Sequence, residues 1–111
     1  KAQSYLERFR KEGVLNHIAG QSVAADSGEQ FEIISPVDLE PIAKVARGGA
    51  SDIDKAAKAA KASFDECAAL PGKERKMLLH RIAFAIEARA EEIAFVESMD
   101  TGPRRRILAR Q

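Results

Sequence analysis

The stretch Glu97-Ser98-Met99-Asp100-Thr101-Gly102 closes the longest helical pattern in this sequence. Upstream of it, apolar residues recur at spacings of three and four between positions 78 and 99, which is the period of one helix face. Pro71 suits a first helical turn and Gly102-Pro103 ends a helix, so the sequence predicts a helix over residues 71–100. The unusual length of this pattern predicts a kink near Arg89.

A second helical pattern precedes the first, over residues 51–70. The Ser51 hydroxyl is placed to accept from the backbone N–H of Asp54 at the helix start, and Pro71 stops the pattern. One face carries mostly small apolar residues, namely Ile53, Ala56, Ala57, Ala60, Phe64 and Ala68. The two apolar stripes are therefore expected to face one another, or to cover a sheet that this stretch of chain does not contain.

In the N-terminal half, the spacing of apolar residues changes from a helical period to a strand-like one after the first few residues. Residues 4–11 predict a short helix that Gly13 ends. Four strand-like segments follow, separated by turn residues, and they predict an antiparallel meander. Pro36 and Pro41 bracket the last turn and place its strands at an edge. The predicted fold class is thus α+β, with a short N-terminal helix, a meander and two long helices.

Composition excludes several classes of function. The 111 residues allow one small domain with little burial, and the net charge of +1 gives no reason to expect nucleic acid as a partner. No apolar stretch has the length of a membrane span or the form of a signal peptide, so no membrane partner is expected. The single cysteine, Cys67, excludes an intramolecular disulfide and predicts a reducing, cytoplasmic location.

An ordered series of motifs resembles the N-terminal segment of the NAD(P)-dependent aldehyde dehydrogenases. Residues 34–42 are similar to the family's turn Asn-Pro-Ala-Thr-Gly-Glu-x-Ile, with Ser35 in place of Asn and Leu39 in place of glycine. Leucine disfavours a positive φ at that position. Residues 45–56 match next, and Glu97, Asp100, Thr101 and Gly102 match the family's Glu-x-x-Asp-Thr-Gly. Single matches between these two blocks fall at Ala62-Ser63-Phe64, Pro71, Glu74-Arg75, Leu78 and Ile82.

The resemblance implies a fragment of a Rossmann-like α/β coenzyme-binding domain. Its expected divisions are an N-terminal helical segment (1–13), the domain portion (14–102) and a divergent basic tail (103–111), whose abrupt start suggests a truncated or frameshifted gene. The intact enzyme would oxidise an aldehyde, most closely a muconic-type semialdehyde, to the acid with NAD or NADP, and would be a homo-oligomer. Its nucleophilic cysteine, general-base glutamate and cofactor pocket lie beyond this sequence. No catalytic or cofactor-binding residue is therefore assigned here, and the isolated chain is expected to be inactive and to bind no cofactor.

Asp100 is the one position to which the resemblance gives a site role. In several family members a monovalent cation lies between an Asp at this motif position and backbone carbonyls near the Asn-Pro turn, which corresponds to Ile34 here. The alternative is a carboxylate near a helix end that accepts from neighbouring backbone amides. Oxygen-ligand sites need several donors, and one further ligand would come from outside this chain.

Other reactive groups have structural interpretations. Cys67 lacks a neighbouring base, so it is expected to be a buried or half-buried structural cysteine. His17 and His80 have no metal-ligand spacing, and Gly48-Gly49 lacks the full Gly-x-Gly-x-x-Gly pattern of a dinucleotide cradle. The basic residues are expected to form a solvated face and a flexible tail; they are Lys73, Arg75, Lys76, Arg104, Arg105, Arg106 and Arg110.

A noncatalytic helical adaptor, binding a partner through an apolar helix face, is the alternative function. The turn that carries Pro36 and Glu40 discriminates against it, since an adaptor has no need of that motif. In the fragment interpretation the helical stripes lack the sheet they cover. The isolated chain is then expected to be marginally stable and to self-associate.

Overall fold

The computed structural model of this chain describes residues 2–102. Helices and strands follow in the predicted order, and the α+β class is confirmed. The elements are α1 (Ala2–Glu12), β1 (Asn16–Ile18), β2 (Gln21–Val23), β3 (Gln30–Ile34), β4 (Pro41–Ala46), α2 (Ala50–Ala69), α3 (Gly72–Ala88) and α4 (Ala90–Thr101). Within residues 2–102, no helix combines the length and apolarity needed to cross a membrane.

Gly13 ends α1 as predicted, and its backbone shows why glycine is needed. Its φ is +69°, and its N–H donates to the carbonyl of Phe9 at 2.9 Å. A Cβ at this position would lie 2.8 Å from the carbonyl oxygen of Lys44. The glycine therefore lets the chain turn and run directly beside β4, where Val14 forms a parallel bridge with Val45.

The four strands form two separate antiparallel pairs, β1 with β2 and β3 with β4, rather than one continuous meander. Ala19 and Gly20 both have positive φ, 52° and 76°, as a two-residue type I′ hairpin turn requires. The β3–β4 ladder pairs Ile34 with Pro41 after an irregularity at Ile33/Ile34. Because each sheet has only two strands, the prolines lie at an edge, as expected.

The β3–β4 turn contradicts the expectation drawn from Leu39, which has φ +60° despite its side chain. The backbone hydrogen bonds of the turn enforce this conformation. The N–H of Leu39 donates to the carbonyl of Ser35 at 2.9 Å, and the N–H of Ser35 donates to the carbonyl of Glu40 at 3.0 Å. The Ser35 hydroxyl, in a residue only 1% exposed, also accepts from the N–H of Val37 at 3.1 Å. The exposed Leu39 side chain opposes none of these bonds.

The hydrophobic core lies between α1, the β3–β4 hairpin and α4, which together we call the core block. Its centre is Leu6, Ile42 and Ala43, with Phe9, Ile33, Phe95, Val96 and Met99 packed around them. The rings of Tyr5 and Phe95 lie 6.0 Å apart across the α1–α4 contact. Small residues in β4 let α1 approach the strand closely.

The predicted kink near Arg89 is a complete break between α3 and α4. Arg89 has φ −115° and ψ 16°, outside the helical region, and its N–H donates to the carbonyl of Ile86 at 3.1 Å. Glu92 accepts from Arg89 at 3.0 and 3.1 Å and from Arg8 of α1 at 2.8 Å. This carboxylate joins α1, the break and the first turn of α4.

The helices α2 and α3, which we call the helical extension, project from the core block. No residue of α3 is buried, and Phe64 of α2 is 67% exposed. Cys67 is exposed, so the expectation of a buried or half-buried cysteine is wrong. The reason is that no described element covers the α2 surface at this position.

Candidate functional site

The C-terminal end of α4 meets the β3–β4 turn. Gly102 has φ +80° and its N–H donates to the carbonyl of Ser98 at 2.8 Å, while the Thr101 hydroxyl donates to the carbonyl of Glu97 at 2.8 Å. A Cβ built on Gly102 would lie 3.6 Å from Cγ of Pro36. The two motifs that were singled out from the sequence are therefore neighbours in space.

Asp100 is exposed, at the rim of a surface cavity between α1, the β3–β4 hairpin and α4. The walls of this cavity are mainly apolar, and Glu97 contributes a second carboxylate to its rim. It is lined by Phe9, Val14, Ile33, Ile42, Ala43, Val45, Val96, Glu97 and Asp100. Ile34 follows the lining residue Ile33 on β3, and its register partner Pro41 has no N–H to donate across the ladder.

The other sequence candidates are not brought together. Within residues 2–102, no group of three or more His, Cys, Asp or Glu side chains could hold a metal ion. His17 lies in a groove between β1 and α2, whereas His80 lies on α3 with its ring 6.3 Å from that of Phe84. Lys73, Arg75 and Lys76 are exposed on α3. Arg104, Arg105, Arg106 and Arg110 lie outside the described residues.

The Gly48-Gly49 loop leads into α2, and the prediction that Ser51 caps this helix is wrong. The helix begins one residue earlier, with Gly49 as its N-cap, and Asp52 supplies the side chain. Oδ2 of Asp52 accepts from the N–H of Gly49 at 2.9 Å, and Oδ1 accepts from the N–H of Asp26 at 3.0 Å. An acidic residue three positions after the N-cap was a usable sequence signal for the first bond. The second bond spans 26 residues and had no local signal.

Asp26 forms an ion pair with Lys55, Nζ to Oδ1 at 2.5 Å, beside this buried carboxylate. The hydrogen bond from Lys55, with a second from Ser51, holds the pKa of the Asp26 carboxyl below its ordinary value. The hydrogen bond to Asp26 raises the pKa of the Lys55 ammonium. Both groups are exposed, so solvent screens the pair.

Comparison with known proteins agrees with the motif series. The model of the aldehyde dehydrogenase family matches residues 22–109, seven residues past the point where the resemblance was expected to end. The NADP/NAD-dependent aldehyde dehydrogenase PuuC of Escherichia coli (strain K12) is 44% identical over 88 residues, covering 77% of this chain and 18% of PuuC.

Solved structures give the same result. HpcC from Thermus thermophilus superposes with a TM-score of 0.94 at 38% identity, over 98% of this chain and 21% of HpcC. The NAD+ complex of an aldehyde dehydrogenase from Bacillus cereus superposes with a TM-score of 0.89 at 32% identity, over 95% of this chain and 22% of that enzyme. The chain thus spans about a fifth of the length of the proteins it matches.

Proposed function

Because the chain belongs to the aldehyde dehydrogenase family, we propose that it forms the N-terminal part of the coenzyme-binding domain of an enzyme that oxidises an aldehyde to the acid with NAD or NADP. The observation that carries this proposal is the agreement between the family match and the near-complete superposition on HpcC. The nucleophile, the general base and the cofactor contacts would come from the rest of the enzyme. The adaptor alternative is not favoured, since the family match accounts for both the turn and the helices.

In this proposal the chain contributes structure rather than chemistry. The core block is held together by its own contacts, whereas the helical extension presents apolar side chains to the remainder of the domain. Those side chains include Phe64, Leu78, Ile82 and Ile86, each at least 45% exposed. If the remainder of the domain covers these side chains, the apolar stripes of α2 and α3 have a partner that the described residues do not supply.

A chimera tests the proposal directly. Residues 22–109 would replace the matching segment of PuuC, with intact PuuC and a PuuC lacking the segment as controls. We expect aldehyde-dependent reduction of NAD or NADP by the chimera and none by the deletion. A folded, soluble chimera without turnover would contradict the proposal. The purified 111-residue chain alone should show no turnover, and turnover abolished by Cys67→Ala would overturn this assignment.

The cation site is also proposed, with Asp100 and the carbonyl of Ile34 as ligands. Two facts support it: the end of α4 lies against the turn that follows Ile34, and Pro41 cannot donate to its register partner. In the chimera, the melting temperature should depend on the identity of the monovalent cation, and Asp100→Asn should remove that dependence. Glu97→Gln, on the same cavity rim, is the matched control. If Asp100→Asn leaves the cation dependence intact, the carboxylate has the helix-end role instead.

The finer proposals are a muconic-type semialdehyde as substrate, a homo-oligomeric enzyme and a cytoplasmic location. The support for this substrate class is a resemblance to bacterial family members that act on such semialdehydes, carried by the N-terminal segment, the turn at residues 34–39 and Glu97-Ser98-Met99-Asp100-Thr101-Gly102. The domain divisions proposed are 1–13, 14–102 and 103–111. Comparing turnover of semialdehydes with that of simple aldehydes by the whole enzyme tests the substrate class.

A further inference from the structure

We propose that Asp52 is a latch that fixes the direction in which the helical extension leaves the core block. Asp52 is the buried carboxylate of the described chain that no catalytic proposal uses, and it is only 5% exposed. Its two oxygens hold two different segments, the Gly49 amide at the start of α2 and the Asp26 amide in the loop after β2. One side chain therefore joins the helix start to a loop 26 residues earlier.

The charge of Asp52 suits both bonds. As a carboxylate it accepts from two N–H groups at once, and ionised acceptors form stronger hydrogen bonds than neutral ones. It also lies in the first turn of α2, where the helix dipole favours a negative charge. A neutral side chain at this position would leave at least one of the two amides without its partner.

Neighbouring groups extend the latch along α2. Lys55, one turn further on, pairs with the Asp26 side chain, so the same loop residue is held through its backbone by Asp52 and through its carboxylate by Lys55. The charged side chains of Asp26 and Lys55 therefore lie close to Asp52. These bonds hold the start of α2 against the loop that leads into β3 of the core block, beside β1, on which α2 packs.

Two consecutive glycines lie next to the latch. Gly48 and Gly49 connect β4 to α2, and a Cβ on either glycine would make only ordinary contacts, 3.6 Å or more from the nearest atom. A side chain would therefore fit at either position, and the two glycines give this joint the wide conformational freedom that their lack of a Cβ allows. Without the Asp52 bonds, α2 would pivot at this joint. The far end of α2 continues through α3 to the break at Arg89.

The native cysteine allows the angle to be measured. Cys67 is exposed near the C-terminal end of α2, and Glu7 is exposed on α1. Spin labels on Cys67 and on an introduced Glu7→Cys report the distance from the extension to the core block. Dilution with unlabelled chain removes distances between molecules. We expect one narrow distance distribution for the parent chain and a broad one for Asp52→Ala.

Two further variants separate an effect on the position of α2 from an effect on the stability of the whole chain. Asp54→Ala, in the same turn but exposed and paired with Lys58, should leave the distribution narrow. Asp52→Asn keeps the side-chain volume and one acceptor, so it should broaden the distribution while the melting temperature stays close to that of the parent. Amide exchange at whichever of Asp26 and Gly49 loses its acceptor should then accelerate about tenfold, the factor expected for one hydrogen bond, while the Gly13 amide is unchanged.

Some outcomes would overturn the proposal. A narrow distribution in a folded Asp52→Ala or Asp52→Asn chain would show that packing on β1, not the carboxylate, sets the angle. If Asp52→Asn unfolds the chain as a whole, Asp52 serves global stability and not the position of α2. Broadening in Asp54→Ala equal to that in Asp52→Asn would mean that any charge loss in this turn has the same effect.

Discussion

The core block and the helical extension use the same apolar residue types in opposite ways. Leu6 of α1 is 3% exposed, whereas Leu79 of α3 is 66% exposed. The radius of gyration is 16.9 Å, compared with about 13 Å for a compact domain of this size, because the extension adds length without burial. A helical period thus identifies which face is apolar, but it does not identify what covers that face.

Truncating one leucine in each region gives the largest expected contrast. Leu6→Ala should lower the free energy of unfolding by about 3 kcal/mol, the usual range for a buried leucine that leaves a cavity. Leu79→Ala should change it by less than about 0.5 kcal/mol, since its side chain is already in solvent. Urea unfolding followed by circular dichroism measures both. Equal losses would contradict the division into two regions.

Adding one methyl group to a glycine should have opposite signs in the two regions. Gly13→Ala must accept φ +69° and a 2.8 Å contact with the Lys44 carbonyl, so we expect a loss of about 2 kcal/mol. Gly72→Ala meets nothing within 4 Å at the start of α3 and should gain up to about 1 kcal/mol from helix propensity. Thermal melting of the two variants measures the difference. A stabilising Gly13→Ala would mean that the α1 cap is not held against β4.

Backbone strain also distinguishes the regions. Leu39 has φ +60° in the β3–β4 turn, while residues of α2 and α3 show no positive φ. Leu39→Gly removes a left-handed leucine that is 77% exposed and should stabilise the chain by about 0.5 kcal/mol, after the entropy cost of glycine. Val37→Gly, in the same turn without a positive φ, should destabilise it. Destabilisation by both changes would show that the leucine side chain, and not its backbone, matters here.

The ion pair between the loop and α2 should give the smallest effect, and one that depends on pH. The lowered pKa of Asp26 means that its contribution is present above its ordinary value of 3.8 and is lost as pH falls further. The raised pKa of Lys55 means that its contribution is present below 10.5 and is lost as pH rises above that value. Lys55→Met should therefore lower the melting temperature most between these limits.

The control for this effect is Lys58→Met, since the pair that Lys58 forms with Asp54 lies within α2. Lys58→Met should leave the backbone amides of the loop after β2, including that of Asp26, protected from hydrogen exchange. A Lys55→Met effect that is constant from acid to alkaline pH would show that the loss comes from the methylene stem and not from the charge.

The sequence predicted elements whose causes are local. Periodicity placed the helices and strands in their order, and Gly13 and Gly102 marked two helix ends correctly. What it missed depends on distant parts of the chain: the Asp26 amide that Asp52 holds, the backbone bonds that force Leu39 to positive φ, and the uncovered surface around Cys67.

The candidate site also has features with local causes and features that depend on distant parts of the chain. The motif around Asp100 and the turn after Ile34 could be singled out from sequence because each resembles a family pattern. Their proximity, seen in the approach of Gly102 to Pro36, arises from the packing of α4 against α1 and the β3–β4 hairpin. No pattern within either segment encodes that contact.

Light scattering of the purified chain over a concentration series tests the central claim, that the helical extension presents apolar faces which residues 2–102 do not cover. We predict a mass above that of the monomer that rises with concentration, because uncovered apolar patches promote association. Ile82→Glu in α3 should shift the mass towards the monomer, while Glu7→Gln in α1 should not. A constant monomer mass at every concentration would contradict the claim.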